Sequence, residues 1–212
     1  MARRRYDMSK RSARADATQA RAVAAACSLL GARACAELTL ERVAARAGVT
    51  RVTMYNHFGS RRALLLAVFH EVGRRMQAER IQTAMRDPDP NVALARTLEE
   101  ASGAWARQYV AVKRLFALAA LDPEMAREVT RGERARRASL RYLAERLAAS
   151  RGGVREGAIA EAARRLGALT SFQTFEALRE TGGGHAALVE RLQHLSVAAL
   201  QPIFPRKRGI SP

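Results

Sequence analysis

The chain has 212 residues, of which 48% are hydrophobic and 5% aromatic, and it carries a formal net charge of +17 with a pI near 11.4. This length suits one large helical domain or a small head on a larger body, and the apolar share is ample for a core. Such a one-sided charge favours a polyanionic partner, nucleic acid or a membrane surface, but no uninterrupted apolar run is longer than Leu115 to Leu121, far too short to cross a bilayer.

The charge is uneven. Residues 1–80 hold 16 basic and 6 acidic groups, and residues 81–212 hold 21 and 14. Lys10, Lys113 and Lys207 are the only lysines among the 37 basic residues, so the arginine excess reads either as a preference for phosphate or as the imprint of a GC-rich genome. Its concentration in the first third favours the former. Cys27 and Cys35 show no CxxC spacing, which argues against a disulfide framework and fits a reducing cytoplasm. The basic N-terminus is not followed by an apolar stretch of the kind a signal peptide needs.

Residues 1–15 are charged and poor in apolar groups, and they read as a flexible basic arm. From Asp16, a reasonable N-cap, apolar positions recur at helical spacing as Ala20, Val23, Ala24, Cys27 and Leu30. Thr39 caps the next helix, with Glu41 in its first turn, where a carboxylate suits the positive helix end. Gly48 supplies a tight turn. Thr50 caps a short helix with Arg51, Val52, Thr53 and Met54 at its centre, and Gly59-Ser60 ends it and opens a longer one carrying Leu64, Leu65, Val68, Val72 and Met76 on one face.

The run Asp87-Pro88-Asp89-Pro90 is the strongest break in the chain, because each proline restricts the residue before it. Four helical stretches follow, over 91–120, 123–150, 156–180 and 185–200. They are separated by Asp122-Pro123, Arg151-Gly152-Gly153 and Gly182-Gly183-Gly184. No segment alternates with period two. The expectation is therefore an all-α chain with a basic arm at 1–15, a head at 16–77, a larger helical bundle at 78–203 and a basic tail at 204–212.

The stretch TLERVAARAGVTRVTMYNHFGSRRALL, residues 39–65, parses as a helix-turn-helix, the device that lays a short helix in the major groove. In the helix after Thr50, Met54 and Phe58 fall on one side and can join Leu40, Val43, Ala44 and Val49 in a small core. Arg51, Val52, Tyr55 and Asn56 fall on another. Arg51 can pair with guanine O6/N7, Asn56 can address an adenine edge, and Val52 can touch a thymine methyl. Thr50, Thr53, Tyr55 and His57 offer donors suited to phosphate oxygens. Arg61 and Arg62 oppose the dipole of the helix opening at Ser60, and a phosphate seated there would reverse the sign; the plainer reading is that arginine is a good helix former.

These residues closely resemble the DNA-binding head of the TetR family of bacterial transcriptional regulators, in the Ala-Gly-Val-Thr turn, Met54-Tyr55, His57-Phe58 and Ser60-basic-x-x-Leu64, preceded by the helix AVAAACSLL. The resemblance implies a homodimer on a short palindromic operator in double-stranded DNA, usually repressing. It also implies a divergent helical C-terminal domain that binds a small-molecule inducer. By position, Arg51, Val52, Thr53 and Asn56 would face the groove, and Thr39, Thr50, Tyr55, His57, Ser60 and Arg61 would contact backbone. Arg61 stands where the family usually has lysine, Arg62 where an acid is common, Val52 where a small residue is common, and Ala34 where a glycine often ends the first helix.

The body carries no specific motif. Ile159, Ala163, Leu166, Leu169 and Phe172, then Leu188, Leu192, Leu195 and Ala199, form apolar stripes on the last two helical stretches, which either pair across a two-fold axis or face the chain's own core. Trp105, Tyr109 and Phe116, with Phe172 and Phe175, could line a ligand cavity or belong to the core. Nucleotide-binding and hydrolase signatures are missing, and His57, His70, His185 and His194 lack metal-ligand spacing, so no enzyme, cofactor or metal is expected. The competing readings are a weakly selective architectural DNA binder and a helical small-molecule-binding domain whose head no longer binds DNA.

Overall fold

The computed structural model describes residues 2–32, 38–76, 79–152 and 156–204, and among these the regular structure is entirely helical. It divides into two compact units, one formed by Met1–Arg75 with Gln108–Ala126 and the other by Met76–Arg107 with Arg127–Pro212.

In the first unit, α1 (Ala2–Gly31) packs on α2 (Leu40–Ala47) and α3 (Arg51–Phe58), and α4 (Arg61–Met76) follows. The helix of α1 begins at Ala2, so the start expected at Asp16 lies inside it, and the backbone of residues 2–15, set aside as an arm, is helical. Alanine and arginine are both strong helix formers, so the segment needs no apolar face to take this conformation. The buried stripe of α1 is Ala22, Ala25, Ala26, Cys27 and Leu30, whereas Ala20 and Ala24 are exposed. Cys27 and Leu30 keep the expected places, Val23 is half-buried, and Ala22, Ala25 and Ala26 stand in for Ala20 and Ala24. Val43, Met54, Leu64 and Val68 are fully buried, and Leu40, Ala44, Phe58, Leu65 and Val72 nearly so; Val49 is only half-buried. Cys35, Ala34 and the 205–212 part of the basic tail lie outside the described residues.

The first unit also takes in the C-terminal part of α6 (Pro90–Ala119) and the start of α7 (Pro123–Ala149), which the sequence had assigned to the body. Ala111, Val112, Leu115 and Met125 are buried there. Arg114 Nη1 donates to the carbonyls of Leu30 and Ala32, each at 2.6 Å, and so supplies donors to the C-terminal carbonyls of α1 that have no intrahelical partner.

The second unit comprises α5 (Glu79–Met85), the remainder of α6 and α7, α8 (Glu156–Leu169), α9 (Phe172–Glu180) and α10 (Gly184–Leu200). Its core is built on Leu98, Leu143, Ala144, Leu147, Ala162, Leu166 and Phe204. Helix α5 had no counterpart in the sequence reading, and its end is tied down by Arg146. The continuous helix expected over 156–180 is broken at Thr170-Ser171, where Ser171 caps α9 by accepting from the Thr174 amide at 3.2 Å. Apolar spacing runs through that break unchanged, which hid it. Gly182, Gly183 and Gly184 all take positive φ, a stretch of backbone that other residues could hold only under strain.

Of the two stripes on the last stretches, Ala163, Leu166, Phe172, Leu188 and Leu192 are buried within the single chain. The ridge of α10 that enters the core is Leu188, Leu192, Ser196 and Leu200, while Leu195 and Val197 stay 42% and 58% exposed beside it.

Candidate nucleic-acid interface

The geometry of the α2-turn-α3 segment follows from three local devices. Thr39 is extended and accepts from the Arg42 amide at 3.2 Å, which starts α2. Gly48 adopts the left-handed conformation with φ 66°, and the Val49 amide reaches back to the Ala44 carbonyl at 3.0 Å, which ends α2 and turns the chain sharply. Thr50 is again extended, accepts from the Thr53 amide at 3.1 Å and shares a hydroxyl contact of 2.9 Å with Thr53, which starts α3. Thr53, assigned to the groove, is thus engaged in the cap.

Helix α3 buries one side and presents the other. Met54 and Phe58 sit in the core with Val43 and Ala44, and this pins the helix so that Arg51, Val52, Tyr55 and Asn56 are exposed together. Val52 is 68% exposed, an isolated methyl-bearing surface on an otherwise polar face. His57 and Thr39 are half-buried at the edges, and Thr50 is exposed.

Arg51 is held. Its Nε lies 2.9 Å from Oε1 of Glu41, its guanidinium carbon stands 5.4 Å from the Tyr55 ring centre, and Nη2 reaches the Tyr55 hydroxyl at 3.5 Å. The Tyr55 hydrogen bond and the Glu41 charge both raise the Arg51 pKa, so the group stays cationic. Tyr55, assigned to the DNA backbone, therefore also supports its neighbour one turn away.

The start of α4 lies close to the start of α2. Ser60 accepts from the Ala63 amide at 3.1 Å, and Arg61 Nε donates to the Leu38 carbonyl at 2.7 Å. The threonine cap of α2 and the serine cap of α4 are thereby stitched together, each at a helix start of the kind that suits phosphate. Arg62 takes a different role. Its Nε donates to Asp122 Oδ2 at 2.8 Å and Nη1 approaches Glu124 at 3.8 Å, within the same unit. Asp122 also accepts from the Glu124 and Met125 amides through Oδ1, capping α7. Burial works against the charge of Asp122, but these backbone donors and Arg62 outweigh it and lower its pKa. Neither Asp122 nor Arg114 was identified from the sequence as serving the head; the only signal was an arginine where an acid is customary.

Of the five aromatic residues expected to line a ligand cavity or belong to the core, three lie in the second unit and two in the first. Trp105, Phe172 and Phe175 pack together in the second unit, with Trp105 and Phe172 edge-on at 5.5 Å and Phe172 stacked on Phe175 at 6.4 Å. The Trp105 indole donates to the Thr170 carbonyl at 2.9 Å. Tyr109 and Phe116 belong to the first unit and are half-buried. A separate open cleft of about 470 Å³ is lined by Glu79, Arg80, Thr83, Arg96, Glu99 and Glu100, and none of the five aromatics borders it. Among the described residues, no cluster of three or more His, Cys, Asp or Glu is arranged to hold a metal, and no helix is long and apolar enough to cross a membrane.

Residues 22–68 match the family model described as bacterial regulatory proteins, tetR family. No curated protein matches the chain. Among solved structures, a transcriptional regulator from Rhodococcus sp. Rha1 superposes with a TM-score of 0.65 at 20% identity, over 87% of this chain and 95% of that one. A proposed transcriptional regulator from Streptomyces coelicolor A3(2) gives 0.59 at 21% identity, over 84% and 98%. A proposed fatty acid metabolism regulator from Clostridium perfringens gives 0.58 at 16%, over 85% and 97%. At these identities the likeness establishes the fold.

Proposed function

We infer that this chain, a member of the tetR family of bacterial regulatory proteins through its residues 22–68, is a sequence-specific DNA-binding transcriptional regulator. The observation that carries the reading is the exposed quartet Arg51, Val52, Tyr55 and Asn56 on a short helix capped by Thr50 and anchored by Met54 and Phe58. A helix fixed in this way presents side chains to base edges with little ordering left to do on binding, while Ser60, Arg61 and the helix-end amides beside them suit phosphate and set the register.

The protein works as a homodimer on a palindromic operator and represses until a small molecule releases it. Leu195 and Val197, exposed on α10, support a dimer contact through the C-terminal helices. Ligand release is supported by the division of α6 and α7 between the units: α6 begins in the body unit and ends in the head unit, α7 begins in the head unit and ends in the body unit, and within the head unit Arg114 holds the end of α1 and Asp122 holds Arg62. A ligand that favours one packing of the body would then bias the head.

Titration of duplexes that differ at single base pairs tests the reading, with wild type and Arg51→Ala compared. Loss of roughly tenfold or more in discrimination at one base pair, with the others kept, is expected. Equal weakening on every duplex would assign Arg51 to phosphate and contradict base reading.

A further inference from the structure

An acidic side chain at a DNA-facing surface normally opposes binding, because it faces the phosphates. Glu41 is such a side chain: it projects from the first turn of α2, is 49% exposed along its side chain, and meets Arg51 on the exposed face of α3. An ion pair this open to water contributes little to stability, so its consequence must be sought in geometry.

Resting on the DNA-reading function above, we propose that Glu41 is a positioning residue for base recognition, a buttress that fixes Arg51 for end-on contact with guanine. An arginine side chain offers five N–H donors along two edges of a planar fork. The edge that includes Nε is turned to Glu41 at 2.9 Å, and one donor of Nη2 faces the Tyr55 hydroxyl. Three donors remain, both on Nη1 and one on Nη2, and the end of the fork pairs one N–H from each of these two nitrogens. That end matches the paired O6 and N7 acceptors of guanine in the major groove. With Nε occupied, the side-on mode is disfavoured. The Tyr55 ring 5.4 Å from the guanidinium carbon supports it from the second side. A long flexible side chain is thereby ordered before DNA arrives, which reduces the entropy lost on binding. Glu41 forgoes some general attraction to phosphate and sharpens one base choice.

The experiment is parallel selection from a pool of random-sequence duplexes with the full-length wild type, Glu41→Ala, Glu41→Gln, Arg51→Ala and the Glu41→Ala, Arg51→Ala double variant, followed by sequencing and by titration of the enriched duplexes. Arg51→Ala identifies the base pair that Arg51 sets. At that pair Glu41→Ala reduces the guanine preference by about fivefold to tenfold, a part of what a bidentate contact supplies, and total affinity for mixed-sequence DNA stays level or rises. Glu41→Gln, which keeps an acceptor without the charge, falls between. In the Arg51→Ala background Glu41→Ala changes no base preference. An unchanged guanine preference in Glu41→Ala overturns the inference and leaves DNA reading intact. A shift at a different base pair also overturns it, because Glu41 would then be reading a base itself, such as the N4 donor of cytosine. A wild type that enriches no sequence refutes the underlying function, and the buttress with it.

Discussion

Arg146 is a single side chain that ties several backbone carbonyls of the second unit. It sits in the last turn of α7, where a cation suits the negative helix end, and its guanidinium reaches the end of α5. Nη1 donates to the Met85 carbonyl at 2.7 Å, and Nη2 donates to the carbonyls of Asp87 and of Pro88, the latter at 3.0 Å. Met85 is the last residue of α5, whose carbonyl the helix leaves without a donor, and Asp87 and Pro88 lie in the turn that follows it. A hydrogen bond to a charged group contributes roughly 1.5–3 kcal/mol. Asp87 and Pro88 are not buried, so water replaces part of what they lose, and the three bonds share one cation. The expected cost of Arg146→Met, which keeps the length of the stem, is therefore about 2–3 kcal/mol rather than three full bonds. In a chain of this size that corresponds to a fall of roughly 5–10 °C in Tm. Arg146→Lys, with a single compact ammonium, should recover about half of the loss. Urea denaturation followed by the fluorescence of Trp105, which lies in the same unit, gives the free energy. A Met variant within ~0.5 kcal/mol of wild type would refute the idea that this arginine terminates α5.

Hydrogen bonds from Arg74 and then Arg75 lower the Glu71 pKa from 4.5 to about 2, so its stabilisation is complete above pH 4.5 and lost as pH falls toward 2. Both arginines are partly or largely exposed, so Glu71→Gln should cost only about 1 kcal/mol at pH 7 and nearly nothing at pH 2; an equal cost at both pH values in urea titrations would contradict the pairing. Asp122→Ala removes both a helix cap and the partner of Arg62, so its thermal midpoint by circular dichroism should fall further than that of Arg62→Met; equal falls would mean that the cap contributes nothing. Thr50→Ala deletes the cap of α3 and should cost about 1 kcal/mol while weakening all duplexes, measured by urea titration and by fluorescence anisotropy; a folding energy unchanged from wild type would place the start of α3 elsewhere.

The head was legible because its signals are local. A hydroxyl at Thr39, a glycine at Gly48 and a hydroxyl at Thr50 act on backbone groups within a few residues, and the structure uses all three as the sequence suggests. The split between Met54 and Phe58 inside and Arg51, Val52, Tyr55 and Asn56 outside follows from helical periodicity alone. Elsewhere the pattern is weak. In α1 the choice between Ala20 and Ala24 or Ala22 and Ala26 as the buried face cannot be read from residue type, because alanine fits either side. The break at Thr170-Ser171 rests on a serine cap embedded in unbroken apolar spacing. Long-range partners were invisible: Arg62 finds Asp122 and Arg114 finds Leu30 across most of the head and half the body in sequence, and no local rule connects them. The Glu41–Arg51 pair bridges two helices over a turn, and its two members each had a sufficient separate explanation in sequence.

The most direct test of the central claim is selection of bound duplexes from a random pool by the wild-type protein at moderate salt, followed by sequencing. The account predicts an enriched palindrome with two half-sites whose centres are separated by about one helical turn or a multiple of it, as a symmetric pair of α3 helices requires. Binding without enrichment, collapsing as salt rises, would contradict it and identify an architectural binder held by charge alone.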